Sequence, residues 1–182
     1  MISFTYKYVF RILRSLVLLV FVSVLTGCVS DKFYTPAPDT HEFDEISEFA
    51  GSGTVTLINN QPSEEEQLYH KQSKYHANYR AWTDVAIQVT KRELEARGFT
   101  VQDDGDKTIT MAITHVLTET GWTQIQTHIT MSVETGSDYS SDFVGRNHSV
   151  MAANLKRQAD GAVMRVVAAM FNDPAIVAYL QE

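Results

Sequence analysis

A chain of 182 residues, 44% of them hydrophobic, with 15 basic and 22 acidic side chains and net charge −7, has the material for one packed core. Its single cysteine, Cys28, excludes an internal disulfide and a cysteine-built zinc cluster. The acidic balance, without a basic cluster, argues against nucleic acid as a partner.

The first fifteen residues carry Lys7, Arg11 and Arg14. The apolar run "LVLLVFVSVL" follows at 16 to 25, then the small residues Thr26 and Gly27. Cationic, apolar and small is the order of a signal peptide. An apolar run of about ten residues is half of the roughly 20 that a membrane-crossing helix needs. Leu25, Thr26, Gly27 and Cys28 resemble the lipobox of bacterial lipoproteins. The resemblance covers the first 28 residues. It implies cleavage before Cys28, a diacylglyceryl group carrying palmitate-like chains on its thiol, and anchoring to a membrane. In that family an aspartate directly after the cysteine commonly marks the inner membrane. Here Val29 and Ser30 follow, so the implied address is the periplasmic face of the outer membrane. Without Lys7, Arg11 and Arg14 the mature chain has 12 basic and 22 acidic side chains, net −10.

Residues 28–50 bring Pro36, Pro38 and five acids between Asp39 and Glu48. Proline stiffens such a segment and like charges extend it, so it reads as a lipidated acidic tether. The alternative is a partner-binding strip built on Phe33, Tyr34, Phe43 and Phe49. A single domain is then expected over 51–182. It opens with "GTVTLIN" at 53 to 59, a short β-branched strand.

Ser63 and Glu66 have the spacing of a capping box, and the pattern predicts one helical region from there to Arg97. Its apolar stripe would hold Tyr75, Tyr79, Trp82, Val85, Ala86, Val89 and Ala96. Gly98 supplies a left-handed C-terminal residue, with Phe99 folding back on the last turn.

From Phe99 to Gly145 the alternation is the clearest in the chain. Ile109, Met111, Ile113 and Leu117 point one way; Thr108, Thr110, Thr114 and Thr118 point the other. In the next strand Ile125, Ile129, Met131 and Val133 oppose Gln124, Gln126, His128, Thr130, Ser132 and Glu134. Turns at "DDGD", "TETGW" and "TGSD" make this an antiparallel meander with one apolar face and one wet face. Leu155, Ala159, Ala162, Val163, Val166, Val167 and Met170 mark a second amphipathic helix. Asp173 and Pro174 cap a short final one. The expected fold is α+β: a two-layer sandwich with a largely antiparallel four- to five-stranded sheet and two main helices on one face.

No catalytic constellation emerges, and no cofactor is implied. Pairing Ile113 with Ile129 and Met111 with Met131 would put His115 and His128 on opposite sides of the sheet, too far apart to share a metal. His70 and His76 are six apart with no HExxH motif. "GSG" at 51 to 53 is neither a phosphate loop nor a nucleophile elbow, and "DDGD" reads as a hairpin turn. "NHS" at 147 to 149 matches a glycosylation sequon that has no meaning in a bacterial lipoprotein. Asp103 and Asp104 sit in a solvated turn, without the low-dielectric support that acid catalysis needs.

Two surfaces remain as candidates for binding. Trp122 sits at a hairpin tip, where turns usually carry small polar residues; it either touches a partner, a glycan or the membrane, or folds onto its own hairpin. Gln126, His128 and Thr130 lie on the polar sheet face, which is either a binding surface or a plain solvated one. The order of elements resembles small envelope lipoproteins of the lipopolysaccharide-assembly and transport-auxiliary types. That resemblance is one of architecture over residues 53 to 180 and carries no motif. It implies a non-enzymatic accessory or assembly subunit with an envelope protein partner, and is compatible with a homo-oligomer. The alternative is a periplasmic module binding lipid, glycan or peptidoglycan.

Overall fold

In the computed structural model, residues 30–38, 46–150 and 155–182 are described. Cys28, residues 1–27 and Phe43 lie outside the described residues.

The described strands are β1 (Lys32–Phe33), β2 (Thr54–Asn59), β3 (Glu66–His70), β4 (Tyr75–Asn78), β5 (Thr100–Val101), β6 (Lys107–Thr120), β7 (Gln124–Thr135) and β8 (Ser140–Val150). The helices are α1 (Tyr79–Ala96), α2 (Leu155–Phe171) and α3 (Pro174–Gln181). The fold is α+β, with a five-stranded sheet in the order β5-β2-β6-β7-β8 and a three-stranded one in the order β1-β4-β3. The meander β6-β7-β8 is antiparallel as its alternation predicts, but β2 runs parallel to both of its neighbours, β5 and β6. The sheet is therefore mixed, a departure from the largely antiparallel expectation.

The turn at "DDGD" accounts for this. It is not a hairpin, because the strands it joins both run with β2 and lie on either side of it. To connect them the chain crosses the backbone of β2. A Cβ on Gly105 would stand 2.7 Å from Val55 backbone atoms, so only glycine passes there. The Gly105 N–H donates to Thr56 Oγ1, and Thr54 Oγ1 donates to the Asp106 carboxylate.

The predicted helix from Ser63 to Arg97 is instead a strand pair followed by a shorter helix. Ser63 Oγ accepts from the Glu65 N–H two residues on, a local turn bond that competes with helix capping. The helix begins where Asn78 caps it, its Oδ1 accepting from the Ala81 N–H at 2.9 Å. Trp82, Thr83, Ala86, Val89, Thr90 and Leu94 form its buried face. Of the predicted stripe, Tyr75 belongs to β4 and Ala96 is exposed. The end is as expected. Phe99 N–H donates to Leu94 O and Gly98 N–H to Glu95 O, with Gly98 at φ 97°. The Asp173 cap also holds, its carboxylate accepting from Ala175 and Ile176 ahead of Pro174.

The register of β6 and β7 differs from the expected one. Ile113 pairs with Met131 and Met111 with Val133, and a bulge at Thr114 then shifts the phase so that His115 pairs with Thr130 and Leu117 with His128. The inward residues past the bulge are Val116 and Thr118, while Leu117 turns to the open side. Side chains satisfy the backbone where β6 outruns β2. Ile113 N–H donates to Thr83 Oγ1, Val116 N–H to Tyr79 OH, and Gln61 Nε2 donates to Ile113 O.

Residues Asp31–Glu182 make one compact unit. From Asp31 on, the described parts of the segment expected to be a tether belong to it. Lys32–Phe33 pairs with β4, Tyr34 OH donates to Asp160 at 2.7 Å, and Pro36 is buried. Farther along, Phe49 lies 5.6 Å from Phe171 and under the Arg97 guanidinium at 5.0 Å. These contacts hold the described parts of the segment against the domain.

Candidate interaction surface

The helices α1 and α2 cover one face of the five-stranded sheet, where Ile109, Met111, Ile113, Ile129, Met131 and Val133 are fully buried. The other face is covered by no described element. Its rows follow from the register: His115, Thr130 and Val144; Leu117, His128 and Arg146; Glu119, Gln126 and His148. Gln126, His128 and Thr130 are thus brought onto one half-buried strip, as their alternation requires. His115 joins them. The bulge at Thr114 puts it diagonally across from His128 on the same face, correcting the opposite-face expectation. Among the described residues no group of three or more His, Cys, Asp or Glu is placed to hold a metal.

His128 has a peculiarity within this strip. Its Nε2 is buried and has no hydrogen-bond partner among the described residues, a cost normally avoided. Apolar side chains interrupt the polar surface: Val144 is exposed on β8 and Leu117 half-buried on β6.

Trp122 stands beyond the end of this strip. The β6–β7 turn closes with the Gly121 N–H donating to Gln124 O at 2.8 Å, after Thr120 pairs with Ile125. Trp122 is 95% exposed, so it does not fold onto its hairpin. Across the register Gln124 pairs with Val150, itself 74% exposed.

An aromatic cluster at the smaller sheet was not read from the sequence. Trp82, fully buried in α1, meets Tyr69 edge-on at 5.3 Å, and Tyr69 lies 5.9 Å from Tyr75. Trp82 Nε1 donates to Tyr34 O at 2.8 Å, tying β1's continuation to the helix. Burial pushes the Tyr34 and Tyr69 hydroxyls well above the usual tyrosine range, and the Asp160 carboxylate adds to the effect at Tyr34. Both phenols stay neutral. The missed signal was the wide spacing of Tyr34, Tyr69 and Tyr75, aromatic residues that suit strands better than a helix.

His70 closes the same end of the molecule. Its Nδ1 accepts from the Ser73 N–H, so the neutral ring carries its proton on Nε2, which donates to Thr120 Oγ1 at 2.9 Å. Burial pulls its pKa below the ordinary histidine value.

Neither a family model nor a curated protein matches the chain. Among solved structures, a Xanthomonas campestris protein of the DUF330 family is similar over 82% of this chain and 94% of its own, at 8% identity and TM-score 0.46. The PelC dodecamer from Paraburkholderia phytofirmans is similar over 75% of this chain and 92% of its own, at 10% identity and TM-score 0.33. Likenesses this distant carry no argument about what the chain does.

Proposed function

We propose that the chain is a bacterial lipoprotein anchored through Cys28 on the periplasmic face of the outer membrane. There it serves as a non-enzymatic accessory or assembly subunit of an envelope complex. The observation that carries this reading is the uncovered face of the five-stranded sheet. An ordinary solvated face alternates polar residues, whereas this one mixes Leu117 and Val144 with Gln126, His128, Thr130 and Arg146. Apolar contacts framed by hydrogen-bonding groups are the make-up of a protein interface. The alternative, a module that takes lipid or glycan between its layers, is less well supported. Trp82, Met111, Met131, Val163 and Met170 occupy that space, all fully buried.

The test is in-cell photocrosslinking. A photoreactive residue at Thr130 or His148 should give one discrete adduct whose partner, identified by mass spectrometry, is an envelope protein. The same residue at Asp104, in the turn before β6, should give none. Val144→Arg, at an exposed position in the Thr130 row, should abolish the His148 adduct without lowering the melting temperature, since exposed substitutions usually change stability by no more than about 0.5 kcal/mol. Equal labelling at Asp104 and at the sheet face, or none at either, contradicts the assignment.

A further inference from the structure

Basic residues gather at one end of the domain. The Lys32 N–H donates to Lys74 O, placing the start of β1 beside the β3–β4 turn. The His70–Thr120 bond places that turn beside the β6–β7 tip, and Gln124 pairs with Val150 at the end of β8. The Asn147 side chain donates to Gln158 O, which brings the first turn of α2 to the same level. Across these segments the basic residues are Lys32, Lys71, Lys74, Lys156 and Arg157, against Asp31, Glu119 and Asp160, the last receiving the hydroxyl of the Tyr34 ring that Lys156 covers.

The opposite end reverses the sign. Its turns, 97–99, 102–107, 134–140 and 172–174, hold Asp103, Asp104, Asp106, Glu134, Asp138 and Asp173 against Arg97 and Lys107. Among the described residues the charge is therefore polarised, with the basic pole at the β6–β7 tip.

Exposed apolar side chains follow the same polarity. Among the described residues the three most exposed large hydrophobics are Trp122, Val150 and Phe33, and all three lie at or within one residue of the basic pole. The chain also enters the domain here. Lys32 is four residues after Cys28, a distance that extended backbone spans in at most about 14 Å.

We infer that this pole docks on the lipid bilayer, with the Trp122 hairpin tip at the headgroup level and Lys71 and Lys74 against anionic headgroups. This rests on the anchoring at Cys28 proposed above. Tryptophan suits that depth because its ring is apolar and its N–H polar, and lysines near an anionic surface add a salt-sensitive attraction. The lipid supplies the anchorage. The pole sets the orientation, turning the acidic end outward and standing the open sheet face upright for a partner.

The experiment uses the full acylated chain in two sets of vesicles, one of phosphatidylcholine alone and one also containing phosphatidylglycerol. Co-flotation reads the anchor, and Trp122 fluorescence with shallow spin-labelled lipids reads the docking. Trp82 is buried and serves as the unquenched background, measured in Trp122→Phe. The expected result is flotation with both sets, a blue shift, and Trp122 quenching that is stronger with phosphatidylglycerol. That extra quenching should be lost in Lys71→Glu/Lys74→Glu and at high salt. Flotation with Trp122 unshifted and unquenched overturns the docking and leaves the anchor standing, as it would if the tip served a protein instead. A chain that does not float overturns the anchor and the docking together.

Discussion

Trp82→Ala is expected to lower the unfolding free energy by about 3–5 kcal/mol, the range for removing a buried aromatic ring. The indole has no solvent exposure and packs edge-on against Tyr69. Its Nε1 also donates to Tyr34 O, so truncation leaves that carbonyl without its donor as well as opening a cavity. Trp122→Ala is the contrast. With its side chain in solvent, its removal should change stability by no more than about 0.5 kcal/mol. Denaturant unfolding of both variants checks the pair. A large loss from Trp122→Ala with little from Trp82→Ala would mean that inside and outside have been exchanged.

Gly145→Val should be comparably severe. A Cβ at Gly145 would collide with Ala162 O and with the backbone nitrogen of Val166, so α2 touches β8 backbone to backbone at this point. A flexible side chain would yield; helix backbone does not. The helix must lift from the sheet, taking Ala162, Val163 and Val166 out of the core, and the cost is expected to exceed about 3 kcal/mol, above the usual range for overpacking. Gly121→Ala is the control, because its Cβ would meet Gln124 O at an ordinary 3.4 Å. Unfolding of Gly145→Val at the same denaturant concentration as the parent chain would contradict the packing described.

What could be read from the sequence was what local chemistry decides. Gly98 after α1, Asp173 and Pro174 before α3, and the alternation of β7 and of β6 as far as Ile113 each express a constraint among residues close in the chain. The misreadings lie where distant partners decide. Ser63 and Glu66 carry a helix-start pattern, yet Tyr69 finds Trp82 and Tyr75, and the segment pairs as strands. The parallel course of β2 depends on the crossing at Gly105, which a turn-like "DDGD" does not announce. The bulge at Thr114 is stabilised by Thr83, Tyr79 and Gln61, all more than 25 residues away in sequence, and through it His115 changes faces. The strip of Gln126, His128 and Thr130 survived because it lies on β7, whose own alternation is unbroken. Burial of the Tyr34 segment was illegible for the same reason as the bulge: Asp160, which receives its hydroxyl, is 126 residues away.

The most direct measurement is the intact mass of the chain isolated from bacterial membranes. Lipidation at Cys28 predicts a polypeptide beginning at Cys28 and heavier than residues 28–182 by a diacylglyceryl group and an amide-linked acyl chain, with Cys28→Ser left unprocessed. Two acyl chains suffice for stable anchoring where one does not, so this mass also accounts for retention on the membrane. A chain that still carries Met1, or one with a free thiol at Cys28, would contradict it.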